Sequence, residues 1–82
     1  MSEMLNLFFK KGDISIVIQC QQSDKIREVF QKYCTKSGDK LDELVFYYNS
    51  KVVKASDKSL FALGISNRST FDVVDPKYVI GA

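Results

Sequence analysis

SDKIREVFQKYCTKSG, residues 23–38, is the stretch whose start, period and stop agree, and the rest of the chain is read against it. Ser23 is placed to accept a backbone N–H at a helix start, and Asp24 puts negative charge where the helix dipole favours it. Ile26, Val29, Phe30, Tyr33 and Cys34 fall at i, i+3, i+4, i+7 and i+8, one apolar stripe at a 3.6-residue period. Lys25, Arg27, Glu28, Gln31, Lys32 and Lys36 take the opposite face. Gly38 follows as the residue that turns left-handed past the last turn. The spacing predicts one amphipathic helix, and a helix with one apolar stripe needs a surface to cover it.

The flanking segments supply that surface as strands. Leu5, Leu7 and Phe9 alternate with Asn6, Phe8 and Lys10, a period of two that puts an aromatic residue on a mostly polar face. A tight turn at Lys11-Gly12-Asp13 leads into Ile14–Cys20, rich in β-branched residues, with Ile14, Ile16, Ile18 and Cys20 on one face. Beyond Gly38, Leu41 is the one apolar anchor in a polar loop. Leu44–Tyr48 reads as a third strand, Asn49-Ser50 as a turn and Lys51–Val53 as a short fourth strand. Residues 54–59 form a polar connection, and Leu60–Ile65 a single helical turn that delivers Leu60, Leu63 and Ile65 to the core and stops at Gly64. Thr70–Val74 is the last strand, closed by Asp75-Pro76. Residues 1–4 and 76–82 are expected to be flexible ends around one domain, residues 5–75.

Composition narrows the function classes. The chain has 82 residues, 45% of them hydrophobic and 27% charged, which is the balance of one folded domain. Its formal charge is +2 and its longest basic run is the pair Lys10-Lys11, so neither a nucleic acid nor an anionic membrane is an expected partner. The apolar runs LFF and IVI are too short to cross a bilayer, and MSEMLNLFF lacks the basic start of a secretory signal; the expected location is the cytoplasm or nucleus. With no histidine, and with Cys20 and Cys34 separated by 13 residues, no metal site is expected. The two thiols read as small core hydrophobes, with a strand-to-helix disulfide as the other pairing. Nucleophile–base pairs, paired carboxylates and glycine-rich phosphate loops are not found, so neither an enzyme nor a cofactor is expected.

The order of elements, with SDKI opening the helix, LVF opening the third strand, LFALGI before the last turn and STFDVV as the last strand, resembles ubiquitin. The string YCTKSGDKLDELVFYYNSKVV is more similar to the SUMO branch of the same superfamily. The resemblance spans about Leu5 to Asp75. It implies an α+β, ubiquitin-like β-grasp fold, a mixed four- to five-stranded sheet packed on one helix, with the first and last strands parallel in its centre.

That resemblance also implies sites. A SUMO-like groove between the second strand and the helix would be lined by Ile16, Ile18, Cys20, Val29 and Tyr33, with Lys36 at its basic end, and would take a short hydrophobic peptide as an added strand. Gln19 and Gln21 stand where that branch usually has lysines, which weakens attraction to acidic peptide flanks. Ile16, Ile18 and Val29 also read simply as core. On the outer sheet face, Val45 and Val74 match two members of ubiquitin's hydrophobic patch, and Asp72 replaces the histidine between them. Phe8, Val17, Val45, Tyr47 and Val74 could form a contact cluster there, with Tyr47 or Tyr48 as its anchor; cross-strand pairing for stability is the competing account. The chain ends Val-Ile-Gly81-Ala82 rather than in the diglycine of conjugated members. The resemblance therefore implies a monomeric domain that binds proteins non-covalently; the alternative is a modifier conjugated through Gly81 after processing, with activating and conjugating enzymes and proteases as partners.

Overall fold

A computed structural model describes residues 4–76. The elements in chain order are β1 (Met4–Lys11), β2 (Ile14–Gln21), α1 (Ile26–Ser37), a 3₁₀ turn at Leu41–Glu43, β3 (Val45–Tyr48), β4 (Lys51–Val53) and β5 (Thr70–Val74). The sheet order is β2-β1-β5-β3-β4, with β1 and β5 parallel at its centre and the other pairs antiparallel. This is an α+β β-grasp: one helix across one face of a mixed five-stranded sheet.

Two tight turns set the hairpin registers. Gly12 takes φ +59° between the paired residues Lys11 and Ile14, a two-residue loop of the kind that needs positive φ at its first central position. Asn49 and Ser50 both take positive φ, 54° and 66°, between the paired residues Tyr48 and Lys51. Turns of that hand match the natural twist of the strands they join.

The helix stripe is buried as its spacing predicts: Ile26, Val29, Phe30, Tyr33 and Cys34 all lie in the core. Gly38 takes φ 82° and its N–H donates to Cys34 O at 2.8 Å, which closes the helix. The start differs from the expectation. Ser23 does not cap it; the helix begins at Ile26 after Lys25, without a side-chain cap. Two of its first N–H groups instead donate to a distant segment, Ile26 to Lys58 O at 2.9 Å and Arg27 to Ser56 O at 3.2 Å. Asp24 braces the preceding loop, its Oδ2 accepting the Gln21 N–H at 2.9 Å. Tertiary carbonyls thus satisfy donors that a capping side chain usually takes.

Between sheet and helix lies a continuous aromatic cluster. Phe9 stacks on Phe71 and on Tyr33, both at 5.0 Å between ring centres, and meets Phe30 and Phe46 edge-on at 6.1 and 6.0 Å. Phe30 in turn stacks on Phe46 at 3.8 Å. Leu60 and Ile65 are buried, as expected of the 60–65 turn, and Leu63 is half-buried against the same core. Phe61 in that turn points outward and is 74% exposed.

Replacing Phe30 by alanine removes a ring that touches both layers, and a loss of about 3–5 kcal/mol is expected. Urea unfolding followed by circular dichroism checks it, with the exposed Val52→Ala staying within about 0.5 kcal/mol as the control. A second expectation concerns pH. Lys11 Nζ donates to Asp39 Oδ2 at 2.9 Å, and this bond holds the Asp39 carboxyl below the usual carboxylate range and lifts the Lys11 ammonium above the usual lysine value. Asp39's contribution is therefore present above the ordinary carboxylate pKa and lost as pH falls through its depressed one. The stability gap between wild type and Asp39→Asn should hold steady across neutral pH and close on acidification, as denaturation at stepped pH would show.

Candidate functional site

The two edges of the sheet differ in what flanks them, and each has a cleft against α1. On the β2 side the cleft has a volume of about 540 Å³ and is lined by Val17, Ile18, Gln19, Lys32, Thr35 and Lys36. On the β4 side a cleft of about 570 Å³ has Phe30, Leu41, Leu44, Phe46 and Val53 in its lining, with the exposed Arg27, Asp42 and Lys54 beside them. Sequence reasoning identified the first and missed the second. The second forms where β3 and β4 stop pairing beyond Phe46 and Val53, a separation that no local pattern announces.

The residues expected to line the β2 groove divide sharply. Lys36 lines it, with Ile18 as a buried floor only 1% exposed. Cys20, Val29 and Tyr33 do not face it openly: they are 0%, 0% and 1% exposed and belong to the core beneath, while Ile16 is half-buried against that core. The lining missed from sequence is Val17, Gln19, Lys32 and Thr35. Lys32 is on the polar helix face, and the missing signal was that this face borders an edge strand.

The register states which backbone groups of β2 the cleft receives. Lys11 and Ile14 flank the two-residue turn as a hydrogen-bonded pair, so pairs along the ladder alternate and Phe8–Val17 and Asn6–Gln19 fall at non-hydrogen-bonded positions. Agreeing with this, Phe8 N–H donates away from β2 to Ser69 O at 2.9 Å, and Asn6 O accepts from Arg68 N–H at 2.8 Å. The backbone N–H and C=O of Val17 and Gln19 consequently point outward from the sheet. Two helix lysines approach them: Lys36 Nζ lies 3.5 Å from Val17 O, and Lys32 Nζ 3.5 Å from Gln19 O. Lys32 also lies 3.8 Å from Asp24 Oδ2.

The outer sheet face holds the second set of expected residues, in two groups. Val45 pairs with Val74, and Tyr47 with both Asp72 and the 52%-exposed Val52. Phe8 pairs with Val17 and Thr70, on the far side of β5 from Tyr47. Between the groups, Lys10 of β1 stands opposite Asp72 of β5 and puts a charged row across the cluster. Tyr48 is not an outer anchor; it stacks on Phe71 at 5.1 Å and its hydroxyl meets Ser69 Oγ at 3.2 Å. Gly81, the expected conjugation terminus, lies outside the described residues.

Both thiols are free and buried. Burial, then the nearby Asp24 carboxylate, pushes the Cys20 thiol up to about 11, and burial also raises Cys34. No helix among the described residues is long and apolar enough to cross a membrane.

No protein-family profile and no curated protein matches the chain by sequence. Solved structures do match. Caldiarchaeum subterraneum ubiquitin superposes with a TM-score of 0.80 at 14% identity, covering 98% of this chain and 100% of its own. The ubiquitin-like domain of an Arabidopsis thaliana protein gives 0.79 at 13% identity, covering 87% of this chain and 76% of its own. ATBAG1, solved in complex with HSP70, gives 0.78 at 17% identity over 88% of this chain and 40% of its own. The fold is the ubiquitin-like β-grasp.

A raised thiol pKa with full burial predicts that Cys20 resists alkylation in the folded protein. Maleimide labelling at pH 8 followed by mass spectrometry should leave Cys20 unmodified in buffer and modified in denaturant; rapid labelling in buffer contradicts its placement in the core.

Proposed function

We propose that this domain binds other proteins non-covalently, by accepting an extended apolar segment as an added strand on β2 beside α1. The observation that carries the reading is the orientation of Val17 and Gln19: their backbone groups face out of the sheet into a cleft of about 540 Å³. A peptide strand placed there gains main-chain hydrogen bonds to the edge and lodges alternate side chains between β2 and the helix. Val17 and the stems of Lys32 and Lys36, over the buried Ile18, offer the apolar surface for those side chains. The position is the one implied by the resemblance to the SUMO branch. That ATBAG1 was solved in complex with HSP70 supports a protein-binding role in general terms. The role needs no catalytic group or cofactor, and two free buried thiols suit the reducing environment of cytoplasm or nucleus.

The outer sheet face is the second reading, favoured by the exposed Val52 beside Tyr47 and by the Val45–Val74 pair. Chemical-shift mapping separates the two. On titration with a short apolar peptide of alternating valine and isoleucine, amide shifts should centre on Val17, Ile18, Gln19 and Lys36; shifts confined to Val45, Tyr47 and Val74 assign binding to the sheet face. Val17→Pro is the matching variant. It deletes an N–H that points away from β1, so the β1–β2 ladder is spared while the edge loses a donor. Peptide affinity should fall about fivefold or more, the worth of one hydrogen bond, while the spectrum stays dispersed.

A further inference from the structure

The alternation that turns the backbone groups of Val17 and Gln19 out of the sheet applies equally to Ser15 and Gln21, which stand opposite Lys10 and Met4. These outward positions differ in what already holds them. Val17 O and Gln19 O are met by exposed lysine ammoniums at 3.5 Å, long contacts that an incoming N–H replaces easily. Gln21 is occupied on both counts: its N–H donates to Asp24 Oδ2 at 2.9 Å, and its carbonyl accepts the Asp24 N–H at 3.0 Å. Asp24 is itself held in place. Its carbonyl accepts from Leu60 N–H at 3.0 Å, and Gln22 O accepts from Phe61 N–H at 3.1 Å. Leu60 is fully buried, so the chain from Gln21 to Asp24 is tied through its backbone to the core.

From this we infer that Asp24 is a positioning residue that ends strand addition at Gln19: the β2 edge accepts an extended segment paired with Ser15, Val17 and Gln19 and no further. The inference rests on the strand-addition reading and adds the register and length of what that edge takes. A partner strand continuing past Gln19 would have to break the Gln21 bonds to Asp24, one of them to a carboxylate, in exchange for neutral ones. That exchange brings no gain, whereas the lysines over Val17 and Gln19 swing away at small cost. At the other end the Lys11–Ile14 pair closes the hairpin. The open edge therefore runs from Ser15 to Gln19, about 14 Å, and fits a short linear segment of about five residues that leaves the strand conformation beyond Gln19.

The test uses a five-residue valine-isoleucine peptide, and the same core lengthened by two threonines at each end, against wild type, Asp24→Ala and Asp24→Asn. Asparagine keeps a side-chain oxygen that accepts the Gln21 N–H, and alanine does not. The Leu60–Asp24 bond uses the backbone, so neither substitution removes it. Wild type and Asp24→Asn should bind both peptides with the same affinity, and the Gln21 amide should shift far less than that of Gln19. Asp24→Ala should bind the longer peptide about fivefold more tightly than the shorter, the worth of the one hydrogen bond that Gln21 N–H is freed to make, with a large Gln21 shift. Comparing two peptides on one protein cancels any general loss of stability, and also the release of Lys32, which lies 3.8 Å from Asp24 Oδ2. A longer peptide that binds wild type several-fold more tightly and moves Gln21 overturns the inference, and this arm decides even where the alanine variant fails to fold. So does an alanine variant that folds and gains nothing from peptide length. With no shifts at Val17 or Gln19 for either peptide, the strand-addition reading itself fails.

Discussion

Everything in this domain depends on the contact of Phe9 with Phe30, Tyr33, Phe46 and Phe71. Phe9 sits on the strand shared by the hairpin and the parallel pair, Phe71 on the partner that makes that pair parallel, Phe46 on the antiparallel arm, and Phe30 and Tyr33 on the helix. From β1, one ring therefore touches the helix, β3 and β5. A parallel strand pair needs a long crossover, and the ordering of so much chain must be offset by contacts that exist only when the crossover is complete. Rings packed partly stacked and partly edge-on supply large apolar area with few rotatable bonds, which keeps the entropic cost low for the area buried. The same packing fixes the helix over the middle of the sheet, and clefts remain along both flanks.

The second constraint is the attachment of residues 54–61 to the helix start. Ile26 and Arg27 donate to Lys58 and Ser56, and Leu60 and Phe61 donate back to Asp24 and Gln22. This segment satisfies four backbone donors, pins Leu60 in the core and carries the chain from the β4 edge back toward β5. The exposed Arg27–Asp57 ion pair at 2.6 Å stands at the same junction, but a pair so open to water adds at most about 1 kcal/mol. Backbone pairing, with burial of Leu60, is what holds the junction.

The helix and all five strands were legible because each depends on a pattern repeated along a local stretch. Ile26 to Cys34 repeat at the helical period, and the turns carry Gly12 and Asn49, residues that tolerate positive φ. The helix start was misplaced because its capping partners come from about thirty residues downstream, where KASDKS has no periodicity to read. At the candidate site the same distinction applies. Cys20, Val29 and Tyr33 share a face with groove residues, but depth within that face is set by how closely helix and sheet approach, which is a property of the assembled core. Lys32 read as solvated surface because its approach to Gln19 O arises only once β2 is known to be the edge.

Lys32 and Lys36 stand over the β2 edge on weak contacts. An exposed ammonium at 3.5 Å from a carbonyl is weakly held, and it retains much of its hydration and side-chain freedom. A buried cap would close the edge permanently, since displacing it would strand a desolvated charge. The exposed lysines cover two outward carbonyls of the edge strand while staying hydrated. β2 carries no charged side chain from Ile14 to Gln21, so the positive charge at this edge comes from the helix.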